Sequence, residues 1–272
     1  MDYKLPERVE NSHKGTYGRV LNLAGSDYMP GAAYLSSVAA LKIGCGYCFL
    51  CSTDRVIDAV AAQTQNIVFL PHSKLLENLE SYDVVLVGCG LSQEEEYKKL
   101  LENLFLNLRK DVPLIVDADG LNIISKNPEM FIKHNFKSAV FTPHPQEAAR
   151  LLGCSLDEVL SDVKFAAQKI THKYNCTTVL KTHRTVVTSP DGRIYENNTG
   201  NNSMAKAGSG DVLAGMITGL IAQGKDLFEA ACLGVYLHGL CGDIARKKLT
   251  EYSVMADDLI SFLPDALKLY LK

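Results

Sequence analysis

The chain has 272 residues, 47% of them hydrophobic and 22% charged, with a net charge of −3, which suffices for a substantial core. No basic tract marks a nucleic-acid or anionic-membrane partner, and no apolar run reaches the ~18 residues of a membrane span. The N-terminal MDYKLPERVE is not a signal peptide, so a cytoplasmic protein is expected. From the N-terminus, residues 1–16 read as a loosely held entry segment. Arg19 to Gly25 reads as a first buried strand, and Pro30 opens a helix through Ala40. A strand at Gly46–Cys51 precedes a helix capped by Asp54, then a short strand at Ile67–Leu70. Asp83–Val87 is a continuous apolar run, as in a central parallel strand, and a helix with a charged face covers Glu94–Asn107. Strands follow at Pro113–Val116 and Ser138–Phe141, and helices at Gln146–Leu152 and Leu156–Tyr174. Thr177–Lys181 is a strand. Thr185–Ser189 and Arg193–Tyr195 form a hairpin around Pro190-Asp191-Gly192. Helices at Leu227–Lys247 and Ala256–Tyr270 close the chain, with no linker, low-complexity stretch or internal repeat.

Strands alternating with helices predict a three-layer α/β/α domain with a mainly parallel central sheet. Ligands of such sheets bind beyond the carboxyl ends of the strands. The segments there are Gly25-Ser26-Asp27, Gly88-Cys89-Gly90, Asp117-Ala118-Asp119, Thr142-Pro143-His144 and Lys181-Thr182, all polar or glycine-rich. One site along one sheet edge is expected.

The stretch Asn197–Gly219 would complete that site. Its first half is rich in Asn and Gly, which tolerate turns. From Ser209 on, Val212, Leu213, Met216, Ile217 and Leu220 have helical spacing. A flexible loop running into a helix N-terminus makes an anion site of free N–H groups and dipole, which Gly208 and Gly210 let a phosphate approach. Asp211, in the first turn, is either a dipole-stabilising residue or a base beside a bound phosphate.

Other motifs carry two readings each. His144, between two prolines, either aims its imidazole at a ligand or initiates a helix. Asp117 and Asp119 either hold magnesium through waters or cap the next helix. Lys181 either faces phosphate or solubilises a strand end. Gly219 to Asp226 mimics a P-loop, but Asp226 replaces the magnesium-binding Ser or Thr and the run ends a helix; Gly224 is a C-cap signal. Cys45, Cys48 and Cys51 have metal-like spacing, but on a strand positions three apart face opposite ways. No fourth ligand lies nearby, so the eight cysteines are expected to be mostly small buried thiols.

Several segments together resemble the NAD(P)H-hydrate dehydratases of the ribokinase-like superfamily. They are His13-Lys14-Gly15-Thr16-Tyr17-Gly18, Ala24-Gly25-Ser26, Met29-Pro30-Gly31-Ala32-Ala33, Asp117 through Asn122, Thr142-Pro143-His144-Pro145 with Glu147, Thr199-Gly200-Asn201, and Met204 through Gly215. They stand in family order and span nearly the whole chain. The resemblance implies a single dehydratase domain over residues 1–272. Its reaction is ADP- or ATP-dependent dehydration of the S-epimer of hydrated NADH or NADPH, with Mg2+ and a separate epimerase acting on the same metabolite. It also implies a homo-oligomer, often a tetramer.

The same resemblance puts Ala32, Gly90, His144 and Asp211 on the hydrated dinucleotide, with Asp211 as the catalytic base. It puts Lys181, Thr182, His183, Arg184, Thr185 and Gly210 on the adenine nucleotide, and the N–H groups of Ala207, Gly208, Ser209 and Gly210 on the migrating phosphoryl. Phosphorylation turns a poorly leaving hydroxyl into phosphate, and the ring nitrogen then expels it. Gln146 and Thr182-His183 depart from the family pattern, which has Gly at those places. A ribokinase-like kinase for a vitamin precursor of the hydroxymethylpyrimidine or hydroxyethylthiazole type would share the fold, the anion loop and Asp211. A non-catalytic nucleotide-binding regulator would not need Asp211.

Overall fold

In a computed structural model that describes residues 3–272, nine strands form one sheet. Met1 and Asp2 of the entry segment lie outside the described residues. The strands are β1 (Arg19–Leu23), β2 (Tyr47–Ser52), β3 (Val68–Pro71), β4 (Val84–Val87), β5 (Leu114–Val116), β6 (Ala139–Phe141), β7 (Thr177–Leu180), β8 (Val186–Thr188) and β9 (Ile194–Glu196). Their order is β3-β2-β1-β4-β5-β6-β7-β8-β9. The first seven are parallel, and β8 and β9 add an antiparallel hairpin at one edge.

Both faces of the central strands are buried, so β4, β5 and β6 are apolar on every residue and alternate between two cores. Val20, Val84, Leu86, Ile115, Val140 and Val179 point into one core. Leu21, Val85, Val87, Leu114, Val116 and Phe141 point into the other. The first core is roofed by α1 (Pro30–Ile43) and α2 (Asp54–Ala61), and later in the chain by α9 (Ser209–Ala222), α10 (Leu227–Lys248), α11 (Ala256–Ser261) and α12 (Leu263–Tyr270). The second is covered by α3 (Glu95–Asn107), α4 (Ala118–Lys126), α5 (Glu129–Ile132), α6 (Pro145–Leu152), α7 (Leu156–Ser161) and α8 (Val163–Tyr174). The three layers match the expected class.

Several boundaries differ from the sequence reading. Thr53, not Asp54, caps α2, its hydroxyl accepting from the Val56 N–H, while Asp54 sits in the first turn. Leu156–Tyr174 is two helices, because the Asp162 carboxylate accepts the Phe165 N–H at 2.9 Å and starts a new one. Ala256–Tyr270 breaks at Phe262, with Pro264 in the first turn of α12. Between β5 and β6, α4 is the helix that Asp117 or Asp119 is expected to cap: Asp117 sits at its N-cap position without a side-chain cap bond and Asp119 is in its first turn, while α5 has no counterpart in the sequence reading. The entry segment is tied down by the Arg8 guanidinium, which donates to Gln223 at 2.9 Å and stacks on Tyr17. Helix α10 is long and apolar enough to cross a membrane, but 67% of its apolar window is buried inside the protein.

Candidate active site

The segments leaving the strands form a laddered shelf. Gly25 N donates to Cys89 O, Gly88 N to Leu23 O, Asp117 N to Val87 O, Thr142 N to Val116 O, and Lys181 N to Pro143 O. These backbone bonds fix Cys89, Asp117, Thr142, His144 and Lys181 side by side on rigid strand ends. The N-terminus of α9 comes down over them and adds Asp211.

Asp117 anchors the centre of this group and is 1% exposed. Its Oδ1 accepts two hydrogen bonds of 2.7 Å, from Thr142 Oγ1 and from Lys181 Nζ. Burial works against the Lys181 charge, yet Asp117 and Glu147 hold its pKa above the ordinary value. Ligand atoms of Cys89, Asp117 and Asp211 all lie within 4.8 Å of one another. Burial first, and then the Asp117 charge, push the Asp211 carboxyl up to about 6, against the pull of Lys181. The Cys89 thiol is pushed well above its usual value by burial and by both carboxylates, and so stays protonated. A protonated, soft thiol and a carboxylate already bound to a lysine do not suit magnesium, which takes oxygen ligands. Asp119 is also engaged: it accepts from Ser92 N at 2.9 Å and Gln93 Nε2 at 3.0 Å, fastening the loop after β4.

Of the two readings open to His144 in the sequence, the structure shows the helix-initiating one. His144 caps α6, its Nδ1 accepting from Gln146 N at 3.1 Å and Glu147 N at 3.4 Å, while Glu147 returns a bond to the His144 N–H at 2.8 Å. With Nδ1 as acceptor, the neutral ring carries its proton on Nε2, which faces Glu147 Oε1 at 3.3 Å. Burial and the Lys181 charge lower the His144 pKa. Its exposed edge meanwhile lines a large cavity.

That cavity measures about 1010 Å³ and lies between the β7–β8 turn, the loop before α9, and α10. Lys181, Thr182, His183, Thr185, Ser209 and Gly210 line it. Arg184, Ala207 and Gly208 are outside its lining. Arg184 is 66% exposed and reaches Glu196 at 3.8 Å. Gly208 has φ +93°, and a Cβ there would meet Leu35 and Ala256 at 2.6 and 2.9 Å, so packing and backbone conformation both require its glycine. At Gly210 a Cβ would stand 3.3 Å from Lys181 Nζ, which puts the start of α9 beside the lysine. Ala32 and Gly90 lie outside the lining of the cavity, beside each other. Gly90 has φ +61°, and a Cβ on it would sit 2.7 Å from that of Ala32.

The loop read as flexible is pinned. Asp243 on α10 accepts from Gly200 N at 3.0 Å and Asn201 Nδ2 at 2.8 Å, and Thr199 Oγ1 donates to Tyr236 O at 2.8 Å. Asp243 and His238 have no motif of their own in the sequence reading. His238 is 9% exposed, lines the cavity, and has no partner for Nε2 among the described residues. Burial lowers its pKa to about 4, so it is neutral.

A family model described as NAD(P)H-hydrate dehydratase matches residues 20–265. The chain belongs to the NAD(P)H-hydrate dehydratase family. It is 41% identical to an ADP-dependent (S)-NAD(P)H-hydrate dehydratase of Neisseria meningitidis over 88% of this chain and 81% of that one. It is 40% identical to a bifunctional NAD(P)H-hydrate repair enzyme of Moorella thermoacetica, over 97% of this chain and 52% of that one. The chain thus spans about half the length of such bifunctional relatives. Among solved structures it matches an ADP/ATP-dependent NAD(P)H-hydrate dehydratase of Bacillus subtilis, co-crystallized with ATP/Mg2+. That match has a TM-score of 0.87 and 32% identity, and covers 98% of this chain and 94% of that one. A hydroxyethylthiazole kinase of Pyrococcus horikoshii shares the fold alone, at TM-score 0.65 and 14% identity. Within the family frame, two groups of residues stand out in this fold. His144, Asp117, Lys181 and Asp211 form one electrostatically coupled group, and Lys181, Thr182, His183 and Thr185 open from it into the cavity.

Proposed function

We propose that this chain, as one dehydratase domain, restores NADH and NADPH from the S-epimers of their hydrates, using ADP or ATP as phosphoryl donor. The observation that carries this reading is a carboxylate with raised proton affinity, Asp211, in the first turn of a helix whose Gly210 stands beside the half-buried Lys181. Phosphoryl transfer depends on positioning and charge stabilisation rather than on covalent catalysis, and these groups supply both.

The adenine nucleotide occupies the 1010 Å³ cavity, with its phosphates toward Gly210 and Lys181. The ring hydroxyl of the hydrate hydrogen-bonds Asp211, which takes its proton as the oxygen attacks the terminal phosphorus. Free N–H groups at the start of α9 and the Lys181 ammonium balance the growing charge on the phosphoryl oxygens. His144, Ala32 and Gly90 border the dinucleotide; the small residues leave room for a ring close to backbone. Since Cys89, Asp117 and Asp211 do not suit magnesium, Mg2+ is proposed as the companion of the nucleotide's own phosphates. A cytoplasmic setting, a tetrameric assembly and an epimerase acting on the same metabolite complete the reading. Eight unpaired cysteines favour a reducing compartment.

The test is a recovery assay. Purified protein is given hydrated NADPH, Mg2+ and either ADP or ATP, and the absorbance of reformed NADPH is followed. Recovery with one nucleotide is the expected result and identifies the donor. No recovery with either, from protein that still binds nucleotide, would overturn the substrate and turn attention to the vitamin-precursor kinases.

A further inference from the structure

The dehydration needs two proton acceptors, and Asp211 is only one. Hydration of a dihydropyridine adds hydroxyl to the carbon beside nitrogen and hydrogen to the next ring carbon. Reversal must remove both. After phosphoryl transfer, the nitrogen lone pair forms a C=N bond, the C–O bond breaks, and phosphate leaves with that electron pair. The product is an iminium cation. It becomes the dihydropyridine only when a base takes hydrogen from the neighbouring carbon. The C–H electrons then form the ring C=C bond, and the C=N electrons return to nitrogen.

We propose, on the functional reading above, that Asp117 is this second base. Its two oxygens have different surroundings. Oδ1 is occupied by Thr142 and Lys181, each at 2.7 Å, which fixes the rotation of the carboxylate. Among the described residues, Oδ2 receives only the long contact from the Cys89 thiol, 3.9 Å. This less engaged oxygen faces the start of α9: it stands 3.9 Å from where a Cβ on Gly210 would be. An oxygen of the Asp117 carboxylate belongs to the group within 4.8 Å that includes Asp211 and Cys89. A ring held by its hydroxyl on Asp211 therefore brings the adjacent ring carbon to the Asp117 side.

The neighbouring groups are unsuited to the task. The thiol of Cys89 stays protonated beside two carboxylates. The Nδ1 lone pair of His144 accepts two backbone N–H groups, and its Nε2 is turned to Glu147. Asp119 is engaged with Ser92 and Gln93. Two carboxylates whose surroundings differ this much are suited to separate steps.

The experiment compares the intact protein with Asp117→Asn and Asp117→Glu, given hydrated NADPH and the donor nucleotide. It counts nucleotide product and NADPH separately. Folding is checked by circular dichroism and nucleotide binding by calorimetry. The unmodified protein is expected to form one NADPH per nucleotide consumed. Asp117→Asn should still consume nucleotide, but NADPH per nucleotide should fall at least about tenfold, because water recaptures the iminium and returns hydrate. Asp117→Glu should recover part of the coupling. Hydrate prepared in D2O carries deuterium on the reacting carbon and should lower the ratio further in Asp117→Asn.

An Asp117→Asn protein that keeps one NADPH per nucleotide would overturn the assignment and point to the departing phosphate as the base. So would a folded, nucleotide-binding variant that consumes none, which would put Asp117 in the transfer step. If the Asn variant does not fold, the same ratio is read on Asp117→Ser. No nucleotide consumption by the unmodified protein would bring down the functional reading itself.

Discussion

Asp211 combines two effects that oppose each other. A first-turn carboxylate is favoured by the helix dipole, but burial and the nearby Asp117 charge raise its pKa to about 6. An acid with a raised folded-state pKa contributes stability below its unfolded value, near 4. That contribution is lost as pH rises through about 6. At pH 7.5 the ionised Asp211 is thus a local cost, and Asp211→Asn should raise the melting temperature while lowering turnover by a factor on the order of 10² to 10⁴. A less stable variant, or one with near-normal turnover, would refute the role of base. By the same argument kcat/KM in the unmodified protein should rise with pH through a limb near 6, and a limb that stays flat from pH 5 to 8 would count against it. His144→Ala removes a cap as well as a cavity wall, so it should lower stability by about 1 kcal/mol and raise the substrate KM. Asp211, His144 and Lys181 stand out in the sequence because each has a distinctive local setting: a first turn, two flanking prolines, a strand end. The contacts of Asp117 with Thr142 and Lys181 join residues 25 and 64 positions apart, and no local pattern announces them. Asp243 and His238 are hidden for a related reason, since both lie on a helix whose apolar spacing reads only as core.

At the scale of elements, α1 and α9 pack unusually closely. A Cβ on Gly215 would collide with the Ser36 carbonyl oxygen and meet the Ala39 Cβ at 2.9 Å. One turn on, a Cβ on Gly219 would meet Ile43 and the Ala40 backbone. Backbone oxygens cannot move aside as a side-chain tip can. Gly215→Val should therefore cost about 3 kcal/mol or more and displace the N-terminus of α9, so that denaturant melts and nucleotide KM worsen together. An unchanged midpoint would show that the seam yields. This seam also makes the placement of Asp211 a property of two helices rather than of one turn. Element types were largely legible in the sequence, because strands buried on both faces give continuous apolar runs and helices give spaced ones. Breaks inside helical stretches were less so. Asp162 reads as an ordinary polar residue of one long helix until its carboxylate is seen accepting the Phe165 N–H. The segment after Asp117 opens with Ala118 at φ +49°, a turn that hides the start of α4.

At the scale of the molecule, the sheet places β1 next to β2 and β4, and from β4 to β9 each strand lies beside its predecessor in sequence. A chain emerging from the ribosome can therefore extend this sheet outward in the order in which it is made. The helix that covers its middle cannot arrive so early. α9 packs on β1, β4 and α1, yet its residues, Ser209–Ala222, follow the last strand. Until they are synthesised, Val20, Val84 and Leu86 lack the α9 part of their roof and present apolar surface to whatever is near. The helix that delivers Asp211 is thus also the one that ends the interval in which the nascent protein is open to aggregation, and a ribosome stalled before residue 209 should leave a product held by chaperones.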